Sequence, residues 1–190
     1  MSDRTPVIVV VGPPAVGKHT VAKALAEQTG YRLLDRDLAV AAVEAVLPGG
    51  AGGGGRPALR ALRLLLVGAA LYAGTPGIIV TYGCGIDDHA DFVDDLADVA
   101  AHEGGVMRLV RLDASADTLA ERAGCPDRAA RGKPGIGDHL KSQTQAYYSA
   151  VRNLRPADIR LVVHSGIGAD IVAETIAAQL RTDLPASAIR

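Results

Sequence analysis

Five consecutive β-branched residues, Val7-Ile8-Val9-Val10-Val11, run directly into Gly12-Pro13-Pro14-Ala15-Val16-Gly17-Lys18-His19-Thr20, and a helix-patterned segment follows. An apolar run of this length reads as a strand buried on both faces. A glycine-rich turn into a helix lines up backbone N–H groups at the helix N-terminus, where they form a concave anion site. Gly12 and Gly17 admit backbone conformations that a Cβ would obstruct, and Lys18 adds a point charge. The spacing Gly-x-x-x-x-Gly-Lys is that of a phosphate-binding P-loop between a strand and a helix. Pro13 and Pro14 have no N–H, so the cradle falls to Ala15, Val16, Gly17, Lys18, His19 and Thr20. The motif ordinarily carries Ser or Thr after the lysine, to bring a hydroxyl to Mg²⁺. His19 stands there instead. Mg²⁺ prefers oxygen ligands, so Thr20, the nearest hydroxyl, is expected to serve the metal, directly or through water. His19 is read as a first-turn helix residue.

The rest of the chain alternates apolar strand-like runs with amphipathic segments, the signature of a parallel α/β sheet covered by helices. The strands fall at residues 7–11, 31–34, 77–82, 106–112 and 159–164. Helices are expected at 18–28, 38–47, 58–73, 88–102, 115–123, 138–151 and 169–180. Ser115 is the expected N-cap of the fifth. The helix over 58–73 is apolar on most sides, which fits deep burial or a dimer contact. Two stretches interrupt the alternation. Residues 48–57 hold six glycines and read as mobile; residues 124–137 read as a flexible basic loop.

The chain's 190 residues suit one domain with a substantial core. A net charge of -1 argues against nucleic acid or an anionic membrane as the main partner. Cys84 and Cys125 fit no metal spacing, and so few cysteines suit a reducing compartment. No apolar stretch has the length of a membrane span. The expectation is a soluble, cytoplasmic protein, monomer or homodimer.

Further polar residues sit where a phosphate site needs them. Asp35-Arg36-Asp37 follows the second strand, and carboxylates at that end of a parallel strand face the ligand crevice. One suits a Mg²⁺ hydration shell, and the other can take a proton from an attacking hydroxyl. A helix start using Asp as N-cap explains the same residues and can coexist with those roles. Thr81-Tyr82-Gly83-Cys84-Gly85 ends the third strand, where small residues let a substrate approach the backbone. Arg122, Arg128, Arg131 and Lys133 cluster around the basic loop. Cations closing over phosphates stabilise developing charge. His164-Ser165-Gly166 ends the last strand, where a nucleotide base often packs.

Taken in order, the P-loop, Leu34-Asp35-Arg36-Asp37, residues 81–85, residues 112–122, the basic loop and the C-terminal strand and helix resemble the shikimate kinases. More broadly they resemble the nucleoside-monophosphate-kinase-like P-loop phosphotransferases. The resemblance covers residues 7–180. It implies a three-layer fold with a parallel sheet in the order 2-3-1-4-5, an acceptor-binding region over about 36–73 and a lid over about 124–137. It implies ATP and Mg²⁺ as cofactors and a small-molecule acceptor. In those terms Lys18, Asp37 and Arg128 are catalytic and Asp35 lies near Mg²⁺. Arg122 and Ser165 belong to the nucleotide side; Asp37, Arg60, Gly83 and Gly85 belong to the acceptor side. The chain departs from shikimate kinases at His19 and at Gly83-Cys84-Gly85, where they carry three glycines. Around Tyr147-Tyr148 it has Gln143, Thr144 and Gln145 where they place an arginine for the substrate carboxylate. The acceptor therefore stays open between a hydroxylated metabolite and a nucleoside monophosphate. A nucleotide-binding protein with little turnover is the alternative of another class.

Overall fold

The computed structural model describes residues 4–48, 53–83, 91–125, 137–164 and 166–183. Five strands, β1 (Pro6–Val11), β2 (Arg32–Leu34), β3 (Ile78–Tyr82), β4 (Val106–Asp113) and β5 (Ile159–Val162), form one sheet in the order β2-β3-β1-β4-β5. Every pairing is parallel, with Val9 opposite Val80 on one side and Leu109 on the other. This is the order implied by the family resemblance.

Seven α-helices are described: α1 (Lys18–Thr29), α2 (Arg36–Val46), α3 (Arg56–Tyr72), α4 (Phe92–His102), α5 (Ala116–Ala123), α6 (Asp138–Ala150) and α7 (Ala169–Asp183). Alternation along β1 assigns its side chains to two cores. Ile8 and Val10 pack with Val21 and Leu25 of α1 and with Val172 and Ile176 of α7. Val7, Val9 and Val11 pack with Val67 of α3, Phe92 and Leu96 of α4 and Tyr147 of α6. β1 and β3 are buried along their whole length, whereas the edge strand β5 is part exposed. Central strands bury both faces and edge strands do not, so the near-continuous apolar pattern holds only at the centre.

Local signals account for the element ends. Ser115 accepts a hydrogen bond from Thr118 N at 3.2 Å and caps α5. Gly30 closes α1 in the left-handed region at φ 73°. Part of the stretch expected to be mobile is ordered: Gly53–Gly55 forms a 3-10 turn that leads into α3, with Pro57 in its first turn. Proline there lacks only an N–H that the helix leaves unused. α3 buries one face, Leu59, Arg63, Val67 and Leu71, and exposes Leu65, Leu66 and Tyr72.

Candidate functional site

The loop after β1 is shaped by close packing as well as by turning. A Cβ on Gly12 would stand 2.7 Å from the Leu112 carbonyl oxygen and 2.8 Å from Val16 Cγ1, so only glycine fits against β4. Ala15 and Gly17 both have positive φ, 66° and 99°. Gly17 is the N-cap of α1 and its side-chain-free position leaves the first N–H groups of the helix facing the loop. Lys18 folds back over this loop: its Nζ donates to the Gly12 carbonyl at 2.8 Å and the Pro13 carbonyl at 3.0 Å. The ammonium is thereby positioned at the centre of the turn.

Arg122 comes from the last turn of α5, far along the chain. It donates through Nη1 to the Val16 carbonyl at 2.7 Å and through Nη2 to the His164 carbonyl at 3.3 Å. One guanidinium thus joins the P-loop, α5 and the turn after β5. A Cβ on Gly17 would stand 3.2 Å from the same Nη1.

Asp35 follows β2 at the N-cap position of α2, but its side chain makes no capping hydrogen bond. It turns into the crevice instead. Its Oδ1 accepts from Thr81 Oγ1 at 3.4 Å, across from β3. Its Oδ2 lies 3.0 Å from His19 Nδ1. That nitrogen is buried and, among the described residues, has no partner in hydrogen-bond geometry, so the approach is that of an ion pair. Thr20 is about 100° further round α1 and exposed. The structure brings His19 to Asp35, beside the position expected for Thr20. Mg²⁺ demands near-octahedral oxygen donors. It is usually held by one or two carboxylates together with substrate phosphates and water, and Asp35 is a carboxylate of that kind at the edge of the crevice.

Asp37 is in the first turn of α2, half exposed, with its Oδ1 3.5 Å from Arg36 Nη1. Gly83 is buried just beyond β3. Arg60 pairs with Asp95 of α4, donating through Nε at 2.6 Å. Arg63, one turn later, is fully buried and donates to the Thr81 carbonyl, with its guanidinium 4.4 Å from the Phe92 ring centre. Arg63 received no role from its sequence context. Its signal was its spacing: it shares an i, i+4 series with Leu59 and Val67, a place where charge is rare. Arg128, Arg131, Lys133, Gly85 and Ser165 lie outside the described residues.

Among the described residues, two titrating groups outside this crevice are perturbed. Burial pushes the Tyr31 phenol up. A hydrogen bond and charge attraction from Asp113 raise Arg160, and the same carboxylate accepts from Arg111, tying β4 to β5. No helix among the described residues is long and apolar enough to cross a membrane.

Comparisons with known proteins agree with this architecture. The AAA domain family matches residues 7–148. A cytidylate kinase from Shewanella pealeana is 50% identical over 48 residues, 23% of this chain and 21% of that protein. The match thus spans about a fifth of that relative. Among solved structures, an unliganded sugar kinase from Janibacter sp. HTCC2649 superposes with a TM-score of 0.62 at 18% identity, over 98% of this chain and 99% of its own. A shikimate kinase from Acinetobacter baumannii, in complex with shikimate, gives a TM-score of 0.60 at 18% identity, over 95% and 96%. Identities this low establish the fold. With the family match over most of its length, the P-loop between β1 and α1 and the 2-3-1-4-5 sheet, this chain belongs to the AAA domain family and has the P-loop kinase fold.

Proposed function

We propose that the protein is a single-domain, ATP-dependent phosphotransferase that moves the γ-phosphoryl group to a hydroxyl of a small molecule. The observation that carries this reading is Lys18 centred on a glycine-shaped loop, with the Asp35 and Asp37 carboxylates at the end of the neighbouring part of the sheet. In this reading the N–H groups from Ala15 to Thr20 and the Lys18 ammonium neutralise charge on the β- and γ-phosphates. Arg122 fixes the loop so that those donors are in place before the substrate arrives. Asp37 accepts the proton of the attacking hydroxyl or orients it. The family resemblance assigns Arg128 to the phosphates and Gly83 and Gly85 to the acceptor, and Ser165 is assigned to the nucleotide side. Asp35 would hold the hydrated Mg²⁺ that accompanies the nucleotide, and that ion would supply charge neutralisation at the phosphates.

A second reading is a nucleoside monophosphate acceptor, favoured by the local identity with cytidylate kinase. One experiment tests both. ADP release from ATP is followed over a panel of hydroxylated metabolites, shikimate included, and the nucleoside monophosphates. The expected result is acceptor-dependent release by one compound that is lost in Lys18→Ala. Release that no compound stimulates, or that survives in the variant, overturns the assignment. Tight nucleotide binding without any transfer would identify a nucleotide-binding protein instead.

A further inference from the structure

We propose that the protein has a second anion site, away from the P-loop, that takes an organic phosphate monoester in a slot between β4, β5 and the turn after α6. The site is independent of the phosphotransferase reading. A cavity of about 290 Å³ opens there, with Val11 and Leu109 on its sheet wall, Leu154 and Pro156 on the turn, and the side chains of Arg111, Arg155 and Arg160 around it. Val11, Arg111 and Arg160 are register partners across β1, β4 and β5, so they form one row on one face of the sheet. In the strand order β1 stands between the β4–β5 slot and the Asp35–Thr81 contact at β2 and β3. The slot is therefore separate from the crevice described above.

Three observations give the slot its chemistry. First, Arg111 and Arg160 stand opposite each other on strands about 4.8 Å apart, and like charges so placed repel. Asp113 offsets part of this: it accepts from Arg111 Nε at 2.9 Å and from Arg160 Nε at 2.8 Å. Second, those bonds engage only Nε. The Nη groups of both arginines, and the whole guanidinium of Arg155, have no partner among the described residues. Asp158, the other nearby carboxylate, is turned to β4, where it accepts from Leu109 N at 2.7 Å and pairs with Arg108. Three guanidinium groups thus face one carboxylate, which leaves two positive charges unmatched. Arg111 is only 21% exposed, so water screens its charge weakly. Third, the walls between the arginines are apolar.

These features choose the ligand. Guanidinium forks take phosphate oxygens in pairs. A phosphate monoester carries close to two negative charges at neutral pH and offers three acceptor oxygens. A monocarboxylate matches one charge only, and free phosphate leaves the apolar walls uncovered. The test titrates the whole chain with phenyl phosphate, inorganic phosphate and phenol, and follows backbone-amide NMR shifts, which give place and affinity together. The expected result is that phenyl phosphate shifts residues 109–113 and 151–160 and binds there at least about tenfold more tightly than inorganic phosphate. Phenol leaves those residues unmoved. Arg155 is exposed beyond the end of α6, and Arg155→Ala is expected to weaken phenyl phosphate about tenfold at these residues. A circular-dichroism melt confirms that the variant is folded, and the wild-type titration requires no variant. Shifts confined to residues 12–20 overturn the inference, because the phosphate is then on the P-loop. Equal affinity for the two phosphates, or an affinity unchanged by Arg155→Ala, also overturns it. Each of these outcomes leaves the phosphotransferase reading standing.

Discussion

Lys18 and Arg122 act on the same loop from opposite sides. Lys18 donates to carbonyls at the loop's start, Gly12 and Pro13, whereas Arg122 donates to Val16 at its end. The two cations therefore have separable effects. Lys18 supplies charge to the reacting phosphates, so Lys18→Ala is expected to lower turnover about 10³-fold, ~4 kcal/mol of transition-state stabilisation. Single-turnover kinetics measure it. Arg122 holds a backbone, so Arg122→Ala is expected to weaken nucleotide binding about tenfold by loosening the cradle. Calorimetric titration of ATP checks this, and an unchanged affinity would mean that the loop keeps its shape without the guanidinium. Asp35 is instructive for another reason. Its sequence position allowed an N-cap or a crevice carboxylate, and the absent capping bond leaves its oxygens with Thr81 and His19.

The elements follow local chemistry closely, with ends that agree or shift by up to three residues among the described residues. β2 is the shortest strand, at three residues. It is anchored at its start by Arg32 N donating to the Gly77 carbonyl at 2.9 Å. Gly77 also receives the Tyr31 ring: a Cβ there would stand 2.6 Å from two ring atoms. Gly77→Ala is expected to destabilise the fold by ~2 kcal/mol, through displacement of that ring and of the β2 edge. Urea unfolding measures the loss, and a cost below about 0.5 kcal/mol would show that the ring moves freely. The apolar sequence of the helix over 56–72 fits either deep burial or a dimer contact. The helix buries one face, which includes Arg63, and exposes Leu65 and Tyr72 on the other. The charge is accommodated because Thr81 accepts from it and the Phe92 ring lies beside it.

At the scale of the molecule, two cores on opposite faces of one sheet hold the site between them. α1 carries the P-loop lysine, and its inner face is covered by α7, with Ile176 fully buried among Val21, Leu25 and Ile8. α7 thus supports the helix that carries the phosphate end of the crevice. Ile176→Ala is expected to cost ~3 kcal/mol, from lost apolar burial and the cavity left behind. Nucleotide affinity should be kept at temperatures where the variant stays folded. Denaturant unfolding with and without ATP separates the two effects, and a cost under about 1 kcal/mol would mean that α7 does not pack on α1 as described.

What the amino-acid sequence determined by itself was local. A β-branched run ending in Gly12 to Lys18 dictates a strand, a turn and a helix start, because spacing and backbone freedom act within a few residues. The alternation of strands and helices dictates a parallel sheet for the same reason, since parallel strands need crossovers. Strand order came from likeness to a family rather than from periodicity. Which side chains meet was decided only in three dimensions. Arg122 reaches Val16 across 106 positions, Arg60 is taken up by Asp95 on another helix, and His19 meets Asp35. Each of these contacts depends on the rotation of a helix about its axis and on the packing of two crossovers. A difference of one residue rotates a side chain by about 100°, and short-range pattern does not carry that information.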